Sequence, residues 1–167
     1  MITGGAGFIG SCLAKLLIDE GEKPVLFDIA SAPKTLSEQG GRFVFERGSI
    51  AHLPVVMDIV ERNGIDRIFH LGGMLSLPSE SNPWGAFDAN VVGTWNILEA
   101  ARIKNMRLVV YGSTIATYSK DIPGSVIDDR TIQRPASFYG ITKTFGELLG
   151  RWYHRNYRLD FRGVRLP

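Results

Sequence analysis

The glycines at positions 4, 7 and 10 constrain this chain more than any other feature. They follow an apolar segment at 1–3 and open a stretch, 8–20, whose apolar residues recur at helical spacing. Phe8, Ile9, Cys12, Leu13, Leu16 and Leu17 predict an amphipathic helix that buries them, ended by Gly21. A strand, a glycine turn and a helix in that order begin a βαβ unit. The rest of the chain continues the alternation. Short apolar runs at 24–28, 42–45, 67–71, 107–111 and 161–166 read as strands. Segments 53–62, 82–104 and 138–156 read as helices, the second capped by Ser81-Asn82-Pro83, and 119–137 reads as a loop. Continuously apolar strands between helices predict an α/β fold, a doubly wound parallel sheet in three layers. Such a sheet binds ligands at the carboxyl ends of its strands, where strand order reverses. Attention therefore goes to 4–10, Asp28, 71–76, Ser113, Thr114 and the helix after them.

Composition narrows the function classes. With 167 residues, 44% hydrophobic and 22% charged, the chain reads as one globular domain, neither disordered nor fibrous. No run approaches the ~18 apolar residues of a spanning helix, and no basic flank of a signal peptide precedes the apolar run in 1–18. The single cysteine, Cys12, excludes an internal disulfide and a cysteine zinc site. Placed on the buried face of the first helix, it is expected to be inert, in a protein of the reducing cytoplasm. His52, His70 and His154 lack metal-ligand spacing, and His70 on an apolar strand reads as a core histidine; no metal is expected. The net charge of +2 is local: Arg151, Arg155, Arg158, Arg162 and Arg165 crowd the C-terminus. No aromatic–basic module accompanies them, so nucleic acid is not an expected partner. The aromatics Trp152, Tyr153 and Tyr157 read as helix packing or a subunit surface.

The glycine loop then acquires a chemical reading. Gly4 permits the tight turn, Gly7 lets the backbone approach a pyrophosphate, and Gly10 allows close helix–sheet packing. The helix N-terminus offers free N–H groups and the positive end of its dipole to phosphate. Asp28 closes the next strand, where it can accept hydrogen bonds from a ribose diol and repel a 2′-phosphate. That context points to dinucleotide binding with NAD favoured; Lys34 and Arg42, nearby in sequence, leave NADP open. Tyr139 and Lys143 stand four apart and so share a helix face. A phenol is a poor base at neutrality, but a lysine ammonium and an oxidised nicotinamide beside it would both favour the phenolate.

In this order the motifs resemble the extended short-chain dehydrogenase/reductases, or NAD-dependent epimerase/dehydratases. Thr3 to Gly10 (TGGAGFIG) is similar to their cofactor loop, Asp28 to their ribose-binding acid, and His70-Leu71-Gly72-Gly73 to their fourth-strand end. Asn90-Val91-Val92-Gly93-Thr94 with Asn96 resembles their long-helix signature, Gly112-Ser113-Thr114 their Ser-Ser-Ser/Thr segment, and Tyr139…Lys143 their YxxxK. The resemblance runs along essentially the whole chain and implies a Rossmann-type NAD-binding domain spanning 1–167. It implies a cofactor site of Gly4, Gly7, Phe8, Ile9, Gly10, Asp28, Ser49, Ile50, Leu71, Gly72, Gly73, Asn90, Tyr139 and Lys143. Tyr139 would be the general acid/base and Lys143 would hold the nicotinamide ribose. Thr114 would hydrogen-bond the substrate oxygen, with Ser113 as the alternative by alignment, and Ser76 would lie near the substrate. A homodimer through the two long helices is also implied.

Three stretches, 74–83, 131–143 and 159–167, are similar to short-chain-type L-threonine 3-dehydrogenases, so hydride transfer at the secondary alcohol of an amino or hydroxy acid is expected. A nucleotide-sugar epimerase/dehydratase and a catalytically silent NAD-binding module stay open as alternatives. Val164-Arg165-Leu166-Pro167 departs from the Arg-x-x-Asn-x-x-Gly-Pro pattern usual in the sugar-nucleotide enzymes. Ser49 stands where the family commonly has an aspartate near the adenine, from which weaker cofactor binding is expected. Measured against the family, the first strand looks shortened and the C-terminal substrate lobe absent.

Overall fold

A computed structural model describes residues 1–118, 126–128 and 130–167. Six strands form one parallel sheet, ordered β3-β2-β1-β4-β5-β6. They are β1 (Ile2–Thr3), β2 (Val25–Asp28), β3 (Val44–Arg47), β4 (Arg67–His70), β5 (Leu108–Thr114) and β6 (Phe161–Leu166). The order reverses between β1 and β4. Their carboxyl ends therefore flank one crevice, as the alternation predicts. β1 pairs through only Ile2 and Thr3, with Leu26 and Phe27 on one side and Phe69 and His70 on the other.

Alternate strand residues feed two cores. Ile2 and Leu26 pack with Ala14 of α1 (Phe8–Asp19) and with Leu36 of a 3₁₀ turn at Lys34–Gln39. Phe27, Ile68 and Val109 pack on the other face, against Val56 and Ile59 of α2 (Leu53–Arg62) and Ile97 of α5 (Gly93–Ile103). Tyr153 of α6 (Phe138–Tyr157) joins that second core.

Three sequence expectations are corrected. Helix α1 forms, but it buries Gly10, Ser11, Ala14 and Ile18. Phe8, Ile9, Leu16 and Cys12 are exposed. A Cβ on Gly10 would collide with the Gly4 carbonyl, so the small-residue face is the one that can lie against the sheet. Cys12 is thus a surface thiol. Second, the helix expected over 82–104 is interrupted. Asn82 caps the short α4 (Pro83–Ala86), accepting from the Gly85 N–H at 3.0 Å, a π-helical turn occupies Phe87–Val92, and α5 follows. The separate helix α3 (Ser76–Ser81), with Pro78 inside it, precedes them. Third, β3 starts two residues later than expected and β5 runs on through Gly112, Ser113 and Thr114. Of the loop expected at 119–137, residues 119–125 and 129 lie outside the described residues.

Candidate functional site

The glycine loop folds as its sequence requires. Gly4 has φ +67°, where a side chain is strained, and the Gly7 N–H donates back to its carbonyl at 3.0 Å. A Cβ on Gly4 would lie 2.8 Å from the Gly72 nitrogen, so the loop and the end of β4 meet backbone to backbone. Gly7 is the N-cap of α1 and supplies no side-chain cap, and no acid occupies the first turn. A helix start left uncapped in this way suits an anion. Phe8, 84% exposed, and the less exposed Ile9 flank it.

Asp28 sits at the end of β2, opposite the loop. One carboxylate oxygen accepts from the Ala6 N–H and the other from the Ala30 N–H, each at 3.0 Å. Both oxygens keep lone pairs for a further donor. Ser49 and Ile50 follow β3. The Ser49 hydroxyl accepts from the Ala51 N–H, and the Ile50 carbonyl from Asn96 Nδ2 at 2.9 Å. Asn96 thereby fixes this segment against α5.

Leu71, Gly72 and Gly73 lead out of β4. Leu71 and Gly72 donate through their N–H groups to Thr3, to its carbonyl and its Oγ1 respectively. A Cβ on Gly73 would lie 2.7 Å from Asn90 Oδ1 and 3.9 Å from Lys143 Nζ, so these groups meet at one point. Asn90 is buried in the π turn. It accepts from the Met74 N–H at 2.6 Å and donates to the Met74 carbonyl and to Thr142 Oγ1. One amide thus ties the loop after β4 to α6. π turns recur at functional sites, where the extra residue redirects a side chain.

Helix α6 carries Tyr139 and Lys143. Ser137 caps it, accepting from the Gly140 N–H at 3.0 Å, while Glu80 of α3 accepts from the Tyr139 N–H at 3.2 Å. Lys143 is 6% exposed and donates from Nζ to the Gly112 carbonyl at 2.8 Å. Burial pushes its ammonium down to about 8. Nζ lies 5.8 Å from the centre of the Tyr139 ring. Burial pushes the Tyr139 phenol up. In the chain alone, burial thus outweighs the neighbouring ammonium. At the end of β5, Thr114 Oγ1 accepts from the Ala116 N–H at 3.2 Å and keeps its own proton to donate. Ser113, the next residue back, alternates to the other side. Its hydroxyl donates to Glu147 of α6. Ser76 opens α3 and is exposed.

Several residues that shape the site went unread in the sequence. Glu147, 4% exposed, accepts from Ser113, Gln133 and both arms of the Arg165 guanidinium. These donors hold its carboxyl below the usual range against the opposing effect of burial. Its spacing, four residues after Lys143, was the available signal. His70 is the core histidine expected, bonded to Thr3 Oγ1 at 2.7 Å and Thr94 Oγ1 at 3.0 Å, with burial pushing it down to about 3. No group of three or more metal-ligating side chains occurs among the described residues. A pocket at the amino ends of β1, β2 and β4, lined by Met1, Lys23, Asp66 and Arg67 among others, contains none of these residues.

Comparison with known proteins bears on the family and the fold. The profile of the NAD dependent epimerase/dehydratase family matches residues 1–167. The mitochondrial L-threonine 3-dehydrogenase of Sus scrofa is 35% identical over 169 aligned positions, covering all of this chain and 44% of that protein. The holo GalE-like L-threonine dehydrogenase of Cupriavidus necator superposes with a TM-score of 0.91 at 30% identity, over 99% of this chain and 54% of its own. The UDP-glucose 4-epimerase of Brucella ovis, solved with NAD, gives 0.87 at 29% identity, over 98% and 50%. The chain spans about half the length of the relatives it matches. No described helix is long and apolar enough to cross a membrane.

Proposed function

The chain belongs to the NAD dependent epimerase/dehydratase family, and we propose that it is the NAD-binding, acid/base-bearing part of an oxidoreductase acting on the secondary alcohol of an amino or hydroxy acid, in the manner of an L-threonine 3-dehydrogenase. The observation that carries this reading is the convergence of Lys143, Asn90 and Gly73 at the end of β4, with Tyr139 one helical turn before Lys143.

The residues present fit the dinucleotide. Gly4 and Gly10 leave no room for a Cβ, so the loop hugs the sheet and the uncapped start of α1 is free for the pyrophosphate. Asp28 accepts from the adenosine ribose, and Ser49 and Ile50 border the adenine. When bound, NAD supplies the hydride acceptor and a fixed positive charge. Lys143 donates to the nicotinamide ribose and, as an ammonium, favours the Tyr139 phenolate. Tyr139 takes the proton of the substrate hydroxyl at its phenolic oxygen, or returns it in the reverse direction. Thr114 donates its free hydroxyl proton to the substrate oxygen and orients it, with Ser76 at the rim. Ser113 serves Glu147 instead.

The choice of an amino-acid substrate rests on the threonine dehydrogenase relatives and the similarity of 74–83 to that class. A nucleotide-sugar epimerase is the second reading, supported by the Brucella ovis neighbour. An NADH-absorbance assay with L-threonine, run beside a UDP-hexose epimerisation assay, decides between them. Turnover of L-threonine alone supports the first reading. Epimerisation alone supports the second, and NAD binding with neither identifies a silent module. We further propose a homodimer through the helices that expose Trp95, Ile103, Leu148 and Trp152, to be checked by sedimentation. The lone cysteine suits a reducing compartment such as the cytoplasm.

A further inference from the structure

A buried ammonium ordinarily sits beside a carboxylate. Lys143 does not: among the described residues its polar contact is the Gly112 carbonyl at 2.8 Å, and no acid lies within ion-pair distance. Two aromatic rings face it instead, Tyr111 with its centre 4.9 Å from Nζ and Tyr139 at 5.8 Å. Both fall within the ~6 Å at which a ring face attracts a cation. Tyr139 has the proton to carry. Tyr111 is fixed: it is 1% exposed on β5, between the rings of His70 at 5.6 Å and Phe161 at 5.9 Å. Its hydroxyl is pressed against Gly146, where a Cβ would collide with it, and among the described residues it makes no hydrogen bond of ordinary geometry, only a loose interaction with the Thr94 side chain. A buried phenol of that kind is a stability cost, so its hydroxyl does not account for the residue. Its ring face does.

We propose that Tyr111 is a positioning residue, an aromatic platform that holds the Lys143 ammonium against the Gly112 carbonyl in place of an anionic partner. The surroundings leave that task to the ring. β4 presents neutral His70, the Phe87–Val92 turn presents the Asn90 amide, and on α6 the groups are Tyr139 and a Glu147 already bound to Arg165. The functional meaning of the platform rests on the reading of Lys143 given above. Its physical content does not, and the test is chosen accordingly.

The experiment follows the Lys143 side chain by ¹³C NMR of lysine-labelled whole chain across a pH titration, with no cofactor or substrate present. Tyr111→Phe keeps the ring and is expected to titrate at the wild-type midpoint. Replacement of residue 111 by phenylalanines bearing one, two and three fluorines weakens the ring face at nearly constant volume. The midpoint should fall stepwise, by about half to one pH unit in all. Tyr111→Leu should fall at least as far, and the fluorinated series decides the matter if that variant does not fold. Coincident midpoints across the series overturn the proposal, as does a fall in Tyr111→Phe equal to that in Tyr111→Leu. A chain that never transfers hydride would refute the functional reading and leave this result standing.

Discussion

Asp28 accepts the Ala6 N–H at 3.0 Å, so the acid at the end of β2 also braces the glycine loop that opens α1. Asp28→Ala therefore removes a ribose acceptor, a charge that repels a 2′-phosphate and a loop contact together. NAD affinity should fall by about tenfold or more, the effect of losing one hydrogen bond to a charged group. The preference for NAD over NADP should shrink as well. Calorimetric titration of the variant with both cofactors checks this; an unchanged NAD/NADP ratio contradicts the role given to Asp28.

Gly10 lies on Gly4, with no space for a Cβ between them, and the obstructing atoms are backbone. Gly10→Ala should cost about 3 kcal/mol of stability, as overpacking at an unyielding contact does. Gly40→Ala, at a site open on all sides, should change stability by less than about 0.5 kcal/mol. Urea denaturation of the pair measures both.

His70 gives the fold an acid-sensitive element. Its folded value, about 3, lies far below the ordinary 6.5. Between those values the unfolded chain binds a proton that the folded chain does not, so stability falls as pH drops through that window. The limiting slope is about 1.4 kcal/mol per pH unit. The Met1 amine, pushed by burial to about 6, acts mainly between pH 6 and 8, and the depressed carboxyls of Glu46, Glu99 and Glu147 act at lower pH, below their ordinary 4.5. Near pH 5.5 the histidine therefore contributes most of the slope, and the carboxyls add to it as pH falls toward 4.5. Denaturation midpoints measured there should fall more steeply for the native chain than for His70→Asn.

Glu147 joins β5, β6 and α6 through Ser113 and Arg165. Glu147→Gln takes a carboxylate from a largely buried guanidinium and should destabilise the chain by about 3 kcal/mol. Ser113→Ala removes a single hydroxyl donor and should cost about 1 kcal/mol. Thermal melts of the two variants rank them, and equal losses would show that Ser113 matters more than its one bond.

The sheet was legible because its strands are short, apolar and separated by helices, and the positions of Gly4, Gly7, Gly10 and Asp28 followed from that order. The first helix was read on the wrong face. Hydrophobic spacing favoured Phe8, Cys12 and Leu16, but the contact that decides α1 is Gly10 on Gly4, and a close approach of backbones leaves no hydrophobic signal. The π turn at Phe87–Val92 was hidden for a related reason: one extra residue per turn does not disturb an apolar pattern over so short a span. Ser113 stood in sequence as the alternative to Thr114, and the bond of its hydroxyl to Glu147 had no signal there. Tyr111 read as one more apolar strand residue, since nothing local shows that a lysine thirty-two positions later will lie against its ring.

The central claim is that this chain binds NAD through the loop at 4–10 and presents Tyr139 and Lys143 to it. Calorimetric titration of the chain with NAD tests that most directly. One saturable site per chain, with clearly weaker binding of NADP, is the predicted result. No heat of binding up to millimolar NAD, from protein shown to be folded, would contradict it.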